Sequence, residues 1–252
     1  MSVRLVVRTL SELCITVGAL IVLFVVHLLF WTGVRAADAA EAEIDSLRSR
    51  WAGASAPAPP SGSTGPPPTP TPSAPASGGP APSPSERSGP AAPPPYRDGK
   101  PFATLRIPRF GAAWEWPVLE NTAVATLRKG LGHYRGSARP GEPGNFAVAG
   151  HRRTYGDPFK DFPELRPGDA VVVNDGTAWF TYRIARKPYR TVPGDTAVVD
   201  PVPRGSGFDG PGRYLTLTTC DPEWGSSHRL IAWAHLDAVR PVSEGRPPEL
   251  SG

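Results

Sequence analysis

The sequence predicts an all-β C-terminal domain, preceded by a transmembrane helix and a proline-rich connector. Beyond Tyr96, short runs of β-branched and aromatic residues alternate with Gly, Pro, Asp and Asn, the pattern of short strands joined by tight turns. From Leu13 to Trp31 runs an uncharged apolar stretch of 19 residues, long enough to cross a bilayer as a helix. Between the two, Pro57 to Pro95 holds 16 of the chain's 33 prolines and almost no aliphatic residue beyond Ala. That tract cannot bury enough apolar surface to offset the entropy of ordering.

Taken in chain order, residues 1–12 form a short segment with Arg4 and Arg8, and Asp38, Glu41 and Glu43 follow the apolar run. The basic residues favour the N terminus inside, so the single span at 13–31 puts everything after it outside the cell. A cleaved signal peptide is the competing reading, since Val34-Arg35-Ala36 loosely resembles a small-x-small site, but the apolar run exceeds the usual signal core. Ala36 to Trp51 is rich in Ala, Glu, Leu and Arg and is expected to continue as a short helix. Residues 32–95 form the juxtamembrane segment and a disordered linker, read as a polyproline II spacer. At roughly 3.1 Å per residue it reaches on the order of 100 Å, enough to hold the domain away from the membrane within a thick wall.

Residues 96–242 form the folded domain and 243–252 a C-terminal tail. Strands are expected at Phe102–Ile107, Trp114–Leu119, Asn145–Gly150, Ala170–Asn174, Trp179–Ala185, Tyr214–Cys220 and Arg229–Val239. A short helix is expected at Thr122–Lys129 and a turn at Pro158–Leu165. Seven or so short strands favour a closed barrel or a sandwich. The C-terminal piece carries 21 Lys and Arg against 17 Asp and Glu, interspersed. With no basic stripe and no interleaved aromatics, nucleic-acid binding is not expected.

Of the two cysteines, Cys14 lies in the apolar run, which leaves Cys220 alone in the folded part. A lone thiol is either a small buried hydrophobe or a reactive nucleophile. Alternation in YLTLTTC puts Leu215 and Leu217 on one face and Thr216, Thr218 and Cys220 on the other. Cys220 thus ends a strand, where a side chain is held by the sheet yet can reach a cleft. Nine residues on, Arg229 opens the apolar run RLIAWAHL. A loop and a neighbouring strand can bring its guanidinium beside the thiol, to favour the thiolate and to stabilise an oxyanion; otherwise it is an ordinary surface arginine. Four histidines lie in this part, His133, His151, His228 and His235, and spacing alone does not choose among them. His151 ends the apolar segment NFAVAG and opens the polar turn HRRTYGDP, a placement like that of Cys220.

The stretch TLTTC, eight residues, then RLIAWA resembles the signature of the sortase family, and FAVAGHRRTYGDPF looks like the segment that carries its catalytic histidine. The resemblance runs from about Phe102 to Val239 and takes in ATLRIPRFG and the GHY of Gly132–Tyr134. The AGHRRTYGDPF and GHY details are most similar to class E sortases of high-GC Gram-positive bacteria. It implies a closed β-barrel of seven to eight strands with short helices, with Cys220 as nucleophile, His151 as general acid and base, and Arg229 as the oxyanion-stabilising group. Thr219 is expected to shape the substrate groove.

The implied reaction is that of a cysteine transpeptidase at the cell membrane, anchoring surface proteins to the wall. It cleaves a Leu-Ala-x-Thr-Gly-type or Leu-Pro-x-Thr-Gly sorting signal of a secreted protein between Thr and Gly, through a thioester, and transfers the protein to a peptidoglycan-precursor amine. Tyr134 is the candidate acceptor for the backbone N–H that alanine, unlike proline, offers at the second position. Asp221, adjacent to Cys220, disfavours a thiolate unless it points away. No cofactor or metal is expected, because no Cys and His cluster has ligand spacing and the acidic residues are scattered. Two other readings remain: a tethered β-domain that binds a wall polymer with Cys220 as core filler, and an L,D-transpeptidase, whose Ser-His-Gly-Cys arrangement is missing around Cys220.

Overall fold

The structure is a computed structural model that describes residues 3–54 and 94–251. Its elements, in order, are helix α1 (Val3–Ala54), strands β1 (Pro101–Arg106) and β2 (Glu115–Glu120), the single turn of helix α2 (Val124–Leu127), then β3 (Leu131–His133), β4 (Gly144–Ala149), β5 (Ala170–Asn174), β6 (Ala178–Ile184), β7 (Tyr189–Thr191), β8 (Arg213–Asp221) and β9 (His228–Pro241). The proline-rich tract at 57–95 lies almost wholly outside the described residues.

Eight strands close on themselves in the order β6-β5-β1-β2-β3-β4-β8-β9, with β9 returning to β6. The 14-residue β9 makes closure possible. One edge pairs with β8, and the other pairs first with β7 through Ile231 and then with β6 from Ala234 onward. Most neighbours are antiparallel, but β2–β3 and β4–β8 are parallel. The β4–β8 contact spans a long crossover, with all of β5, β6 and β7 lying between its two strands in sequence.

Period-two alternation sorts the side chains into an inside and an outside. Leu105, Val118, Leu131, Phe146, Val148, Val171, Tyr182, Leu215, Leu217 and Ala232 fill the barrel interior. On the outer face of β9, Ile231 and Trp233 pack with Val198, Val199 and Phe208 from the connection between β7 and β8. The Trp233 indole N–H donates to Val198 O (3.0 Å), and Asn145 Nδ2 donates to Asp200 O (3.0 Å), so this connection is pinned across the outer wall. At one end of the barrel His133 is buried, its Nδ1 2.6 Å from Glu120 Oε2 and its Nε2 2.8 Å from Ser137 Oγ.

All seven expected strands are present, within one or two residues at most ends. Two more were not foreseen: β3 and β7 are three residues each, too short for a periodic signal, and pairing partners distant in sequence define them. The helix expected at Thr122–Lys129 shrinks to the turn of α2, and the turn at Pro158–Leu165 holds a 3-10 helix at Phe162–Glu164. The segment expected as a tail packs on the barrel: Leu250 lies against Ala170, Val172 and Trp179, and Arg183 donates to Glu249. The short helix expected at Ala36–Trp51 is the continuation of one unbroken α1, which contacts β1 and β2. Among the described residues, the part of α1 apolar enough to span a membrane is Val6–His27, which overlaps the expected 13–31.

Phe146 is fully buried, with the rings of Phe102 and His133 within 6.4 Å. Phe146→Ala is expected to destabilise the barrel by about 3–5 kcal/mol through lost transfer energy and the cavity left behind. Urea unfolding of the isolated domain followed by tryptophan fluorescence measures it, and a loss under about 1 kcal/mol would mean that the interior collapses around the gap.

Candidate active site

The parallel register of β4 on β8 decides what lies beside what. Ala149 faces Thr218, and the ladder continues past the end of β4, where Gly150 N–H donates to Thr218 O (3.1 Å). Neighbours in a parallel pair point to the same side of the sheet. His151 therefore comes alongside Cys220 on the outer face, one step beyond Ala149 and Thr218. Across the antiparallel β8–β9 ladder, Cys220 is paired directly with Arg229. Three residues separated by as many as 78 positions in sequence thus form one row across three adjacent strands.

His151 and Cys220 line a common cleft of about 300 Å³ together with Arg152, Arg153, Thr154, Glu223, Trp224, Gly225 and Ser226. Cys220 is a free thiol, partly exposed. Burial, and then the nearby Arg128, lower the pKa of His151. Its Nε2 is buried and makes no hydrogen bond among the described residues. The Tyr155 ring lies 5.1 Å from the imidazole, and the Arg128 guanidinium lies 5.2 Å over that Tyr155 ring. The Arg229 Nη1 donates to Ser226 O and His228 O (both 2.9 Å). Those bonds fix the guanidinium against the β8–β9 loop, and Nη2 and Nε make no hydrogen bond among the described residues. Arg229 does not line the cleft as it stands, so a rotation about its outer torsions is needed to bring the fork to a bound carbonyl.

Asp221 points away from the thiol. Strand alternation turns it to the opposite face from Cys220, where it accepts from Arg152 Nη1 (2.5 Å) and Arg190 Nε (2.6 Å). Burial alone would raise its pKa, but the two guanidinium donors outweigh that and hold the carboxyl below its usual range. Its charge is spent on a bridge between the loop after β4 and strand β7. The cleft walls are tied in the same way: Arg153 pairs with Glu223 (2.9 Å) and lies 4.7 Å over the Trp224 ring.

The remaining sequence candidates fall in different places. Thr219, expected in the groove, is buried on the interior side, where its hydroxyl donates to Gly150 O (2.8 Å). Alternation turns Thr218 to the outer face, although it too is buried, so Thr219 as the structure has it does not face a groove. Thr219 instead holds the backbone just before His151 to the backbone just before Cys220. Tyr134 follows β3, and its hydroxyl lies 2.9 Å from Thr218 Oγ1, on the same outer face one step below the thiol. Of the other histidines, His133 is buried in the Glu120 pair, His228 contacts Arg190 and Ser227, and His235 is exposed on β9. Arg128, Tyr155 and Trp224 were not anticipated; Trp224 is revealed by lining the cleft, and Tyr155 and Arg128 by their stacking beside His151. Among the described residues no group of three or more His, Cys, Asp or Glu side chains could hold a metal ion.

The sortase domain family model matches residues 105–237. Over 250 residues the chain is 35% identical to sortase SrtE1 of Streptomyces coelicolor, covering 96% of this chain and 60% of that protein, so it spans about 60% of that relative's length. It is 28% identical over 249 residues to sortase SrtE2 of the same organism, covering 96% of this chain and 86% of that protein. Among solved structures, sortase E from Streptomyces avermitilis shares 63% identity with a TM-score of 0.59, covering 62% of this chain and 99% of that one. Sortase E1 from Streptomyces coelicolor, solved with a tripeptide in its active site, shares 41% identity with a TM-score of 0.58, covering 60% of this chain and 97% of that one. With the row of His151, Cys220 and Arg229 on a closed eight-stranded barrel and a family match over more than half of its length, the chain belongs to the sortase family of cysteine transpeptidases.

Proposed function

We propose that this chain is a single-pass membrane enzyme whose barrel, outside the cell, joins secreted proteins to an amine of a peptidoglycan precursor. The observation that carries the reading is the row His151-Cys220-Arg229 across β4, β8 and β9. It supplies a nucleophile, a proton carrier and an oxyanion donor on one face. Thiolate Cys220 attacks the Thr carbonyl carbon of a Leu-Ala-x-Thr-Gly-type signal, and the resulting oxyanion is met by the Arg229 guanidinium. The C–N bond to Gly breaks, His151 gives its proton to the departing amine, and a thioester remains. The incoming amine then gives a proton to His151, attacks the thioester carbonyl and expels the Cys220 thiolate.

Substrate choice follows from Tyr134. Its hydroxyl is held by Thr218 Oγ1, and when Thr218 donates, the tyrosine oxygen keeps lone-pair capacity for an N–H from the substrate. Alanine at the second position supplies that N–H and proline does not. A proline peptide leaves the acceptor unpaired at a cost of about 1–3 kcal/mol.

Cys220→Ala is expected to abolish cleavage of a fluorogenic sorting peptide while Cys14→Ala leaves it intact, and residual turnover by Cys220→Ala would end the assignment. Arg229→Lys keeps the charge but loses the planar fork, so turnover should fall by roughly a hundredfold; an unimpaired lysine variant points to a bulk electrostatic role instead.

For specificity, the ratio of kcat/KM between Leu-Ala-x-Thr-Gly and Leu-Pro-x-Thr-Gly peptides is expected to be roughly tenfold to a hundredfold in the wild type. It should move toward one in Tyr134→Phe, chiefly through the alanine peptide. An unchanged ratio clears Tyr134 of the role.

Arg128 lowers the His151 pKa by its positive charge, so removing that charge raises it. Arg128→Gln is therefore expected to shift the acidic limb of the kcat/KM profile to higher pH. A limb that stays in place, or moves to lower pH, assigns it to another group.

A further inference from the structure

We propose that α1 is a rigid strut that holds the barrel at the membrane surface, so that the proline-rich connector does not set its distance from the bilayer. This rests on the single-pass reading of the N terminus. The character of α1 changes along its length. Over Val6–Val26 the apolar side chains, among them Leu13, Ile15, Ile21, Leu23 and Phe24, are exposed around the helix, as suits a lipid surround. From Ala36 on the apolar residues narrow to one stripe, Ala36, Ala40, Ile44, Leu47 and Trp51, at three- and four-residue spacing. The first four of these are 1–7% exposed. That is the pattern of a helix with a protein partner on one side and water on the other.

The partner is the outer face of β1 and β2. Polar contacts flank the stripe: Glu43 Oε1 lies 3.0 Å from Lys129 Nζ, Arg48 Nη2 donates to Glu115 Oε2 (2.9 Å), and Arg50 Nη2 donates to Pro101 O (2.7 Å). Beyond them the Trp51 indole packs over Gly176, where a Cβ would come within 2.3 Å of Nε1. The docked helix ends at Ala54, and the chain rejoins the barrel at Pro94, whose carbonyl accepts from Arg139. The connector therefore comes after the docked stripe in sequence and not between the apolar span and the barrel. The apolar run reaches Trp31 and the docked stripe begins at Ala36, so an unbroken stretch of α1 joins the span to the barrel. The catalytic row lies on β4, β8 and β9, across the barrel from β1 and β2. The strut thus presents the cleft on the side away from itself at a fixed height, suited to a sorting signal and an amine that are both offered next to the bilayer.

The test uses the full chain in lipid nanodiscs, with Cys14→Ser, Cys220→Ala and Lys187→Cys introduced so that one donor dye sits on the barrel and acceptor dyes on the lipid headgroups. Energy transfer is expected to stay constant when residues 55–93 are duplicated, and to drop at least twofold when Ile44→Asp and Leu47→Asp are added to that longer chain. A drop on duplication alone, or no drop with the aspartates, overturns the strut. A zero-length carbodiimide reports docking without the membrane: mass spectrometry should find an amide between Glu43 and Lys129 in detergent as well as in nanodiscs, and its absence in both overturns the proposal. Extraction of the chain from vesicles by alkaline carbonate while that link still forms would defeat the single-pass reading and leave the docking standing.

Discussion

The parallel pairing of β4 with β8 is the constraint on which the site depends. Two strand ends about 70 residues apart in sequence run the same way and stop at the same level, so the first residues past the regular ladder, His151 and the nearly terminal Cys220, emerge side by side. An antiparallel pair would send those two ends to opposite rims of the barrel. The Thr219 hydroxyl on Gly150 O and the Gly150 N–H on Thr218 O lock the level within a fraction of a residue. One residue of slip would turn either side chain to the other face. The antiparallel β8–β9 pair then adds Arg229 opposite Cys220 without any further device.

Electrostatics around the thiol follow from the same alternation. A carboxylate next in sequence to a nucleophilic cysteine is a poor neighbour in the abstract, but a strand sends consecutive side chains to opposite faces. Asp221 lies across the sheet, where Arg152 and Arg190 neutralise it and use it to bind the β4 loop to β7. The cleft face keeps the cation Arg153, Arg229 lies opposite Cys220 on β9, and Arg128 stands over the Tyr155 ring. The carboxylate next to the thiol in sequence thus serves as a fastener, and the other carboxylate at the cleft, Glu223, is paired with Arg153.

The barrel wall is put to use on two sides. The face of β4, β8 and β9 carries the row of His151, Cys220 and Arg229, with Tyr134 and the connection pinned through Val198 and Asp200 on the same outer side. The face of β1 and β2 carries α1, through a stripe with two alanines small enough to let the helix approach. Closure makes this division possible, since a barrel has no free edges to protect and its outer surface is available all round.

By itself the sequence determined the class of the domain and singled out Cys220 and Arg229 as candidates. Alternation in YLTLTTC and RLIAWAHL marks β8 and β9, and a single cysteine at a strand end with an arginine opening the next strand reports chemistry because such local patterns depend only on near neighbours. Tertiary structure decided the rest. Strands β3 and β7 are too short for a pattern and exist because a partner is there. Thr219 faces the interior and Thr218 the outer side, since only the packed interior tells which face of β8 is inside. His151 is set apart from His133 by the Glu120 pair that buries the latter. Trp224 lines the cleft from the loop after Cys220, and Tyr155 stands by His151 with Arg128 over its ring, contacts that strand patterns do not report. The docking of α1 was likewise hidden, because the stripe from Ala36 to Trp51 declares that it has a partner but not which surface provides it. Register, facing and partnership are properties of pairs distant along the chain, and a one-dimensional pattern carries them only where the folded barrel has brought those pairs together.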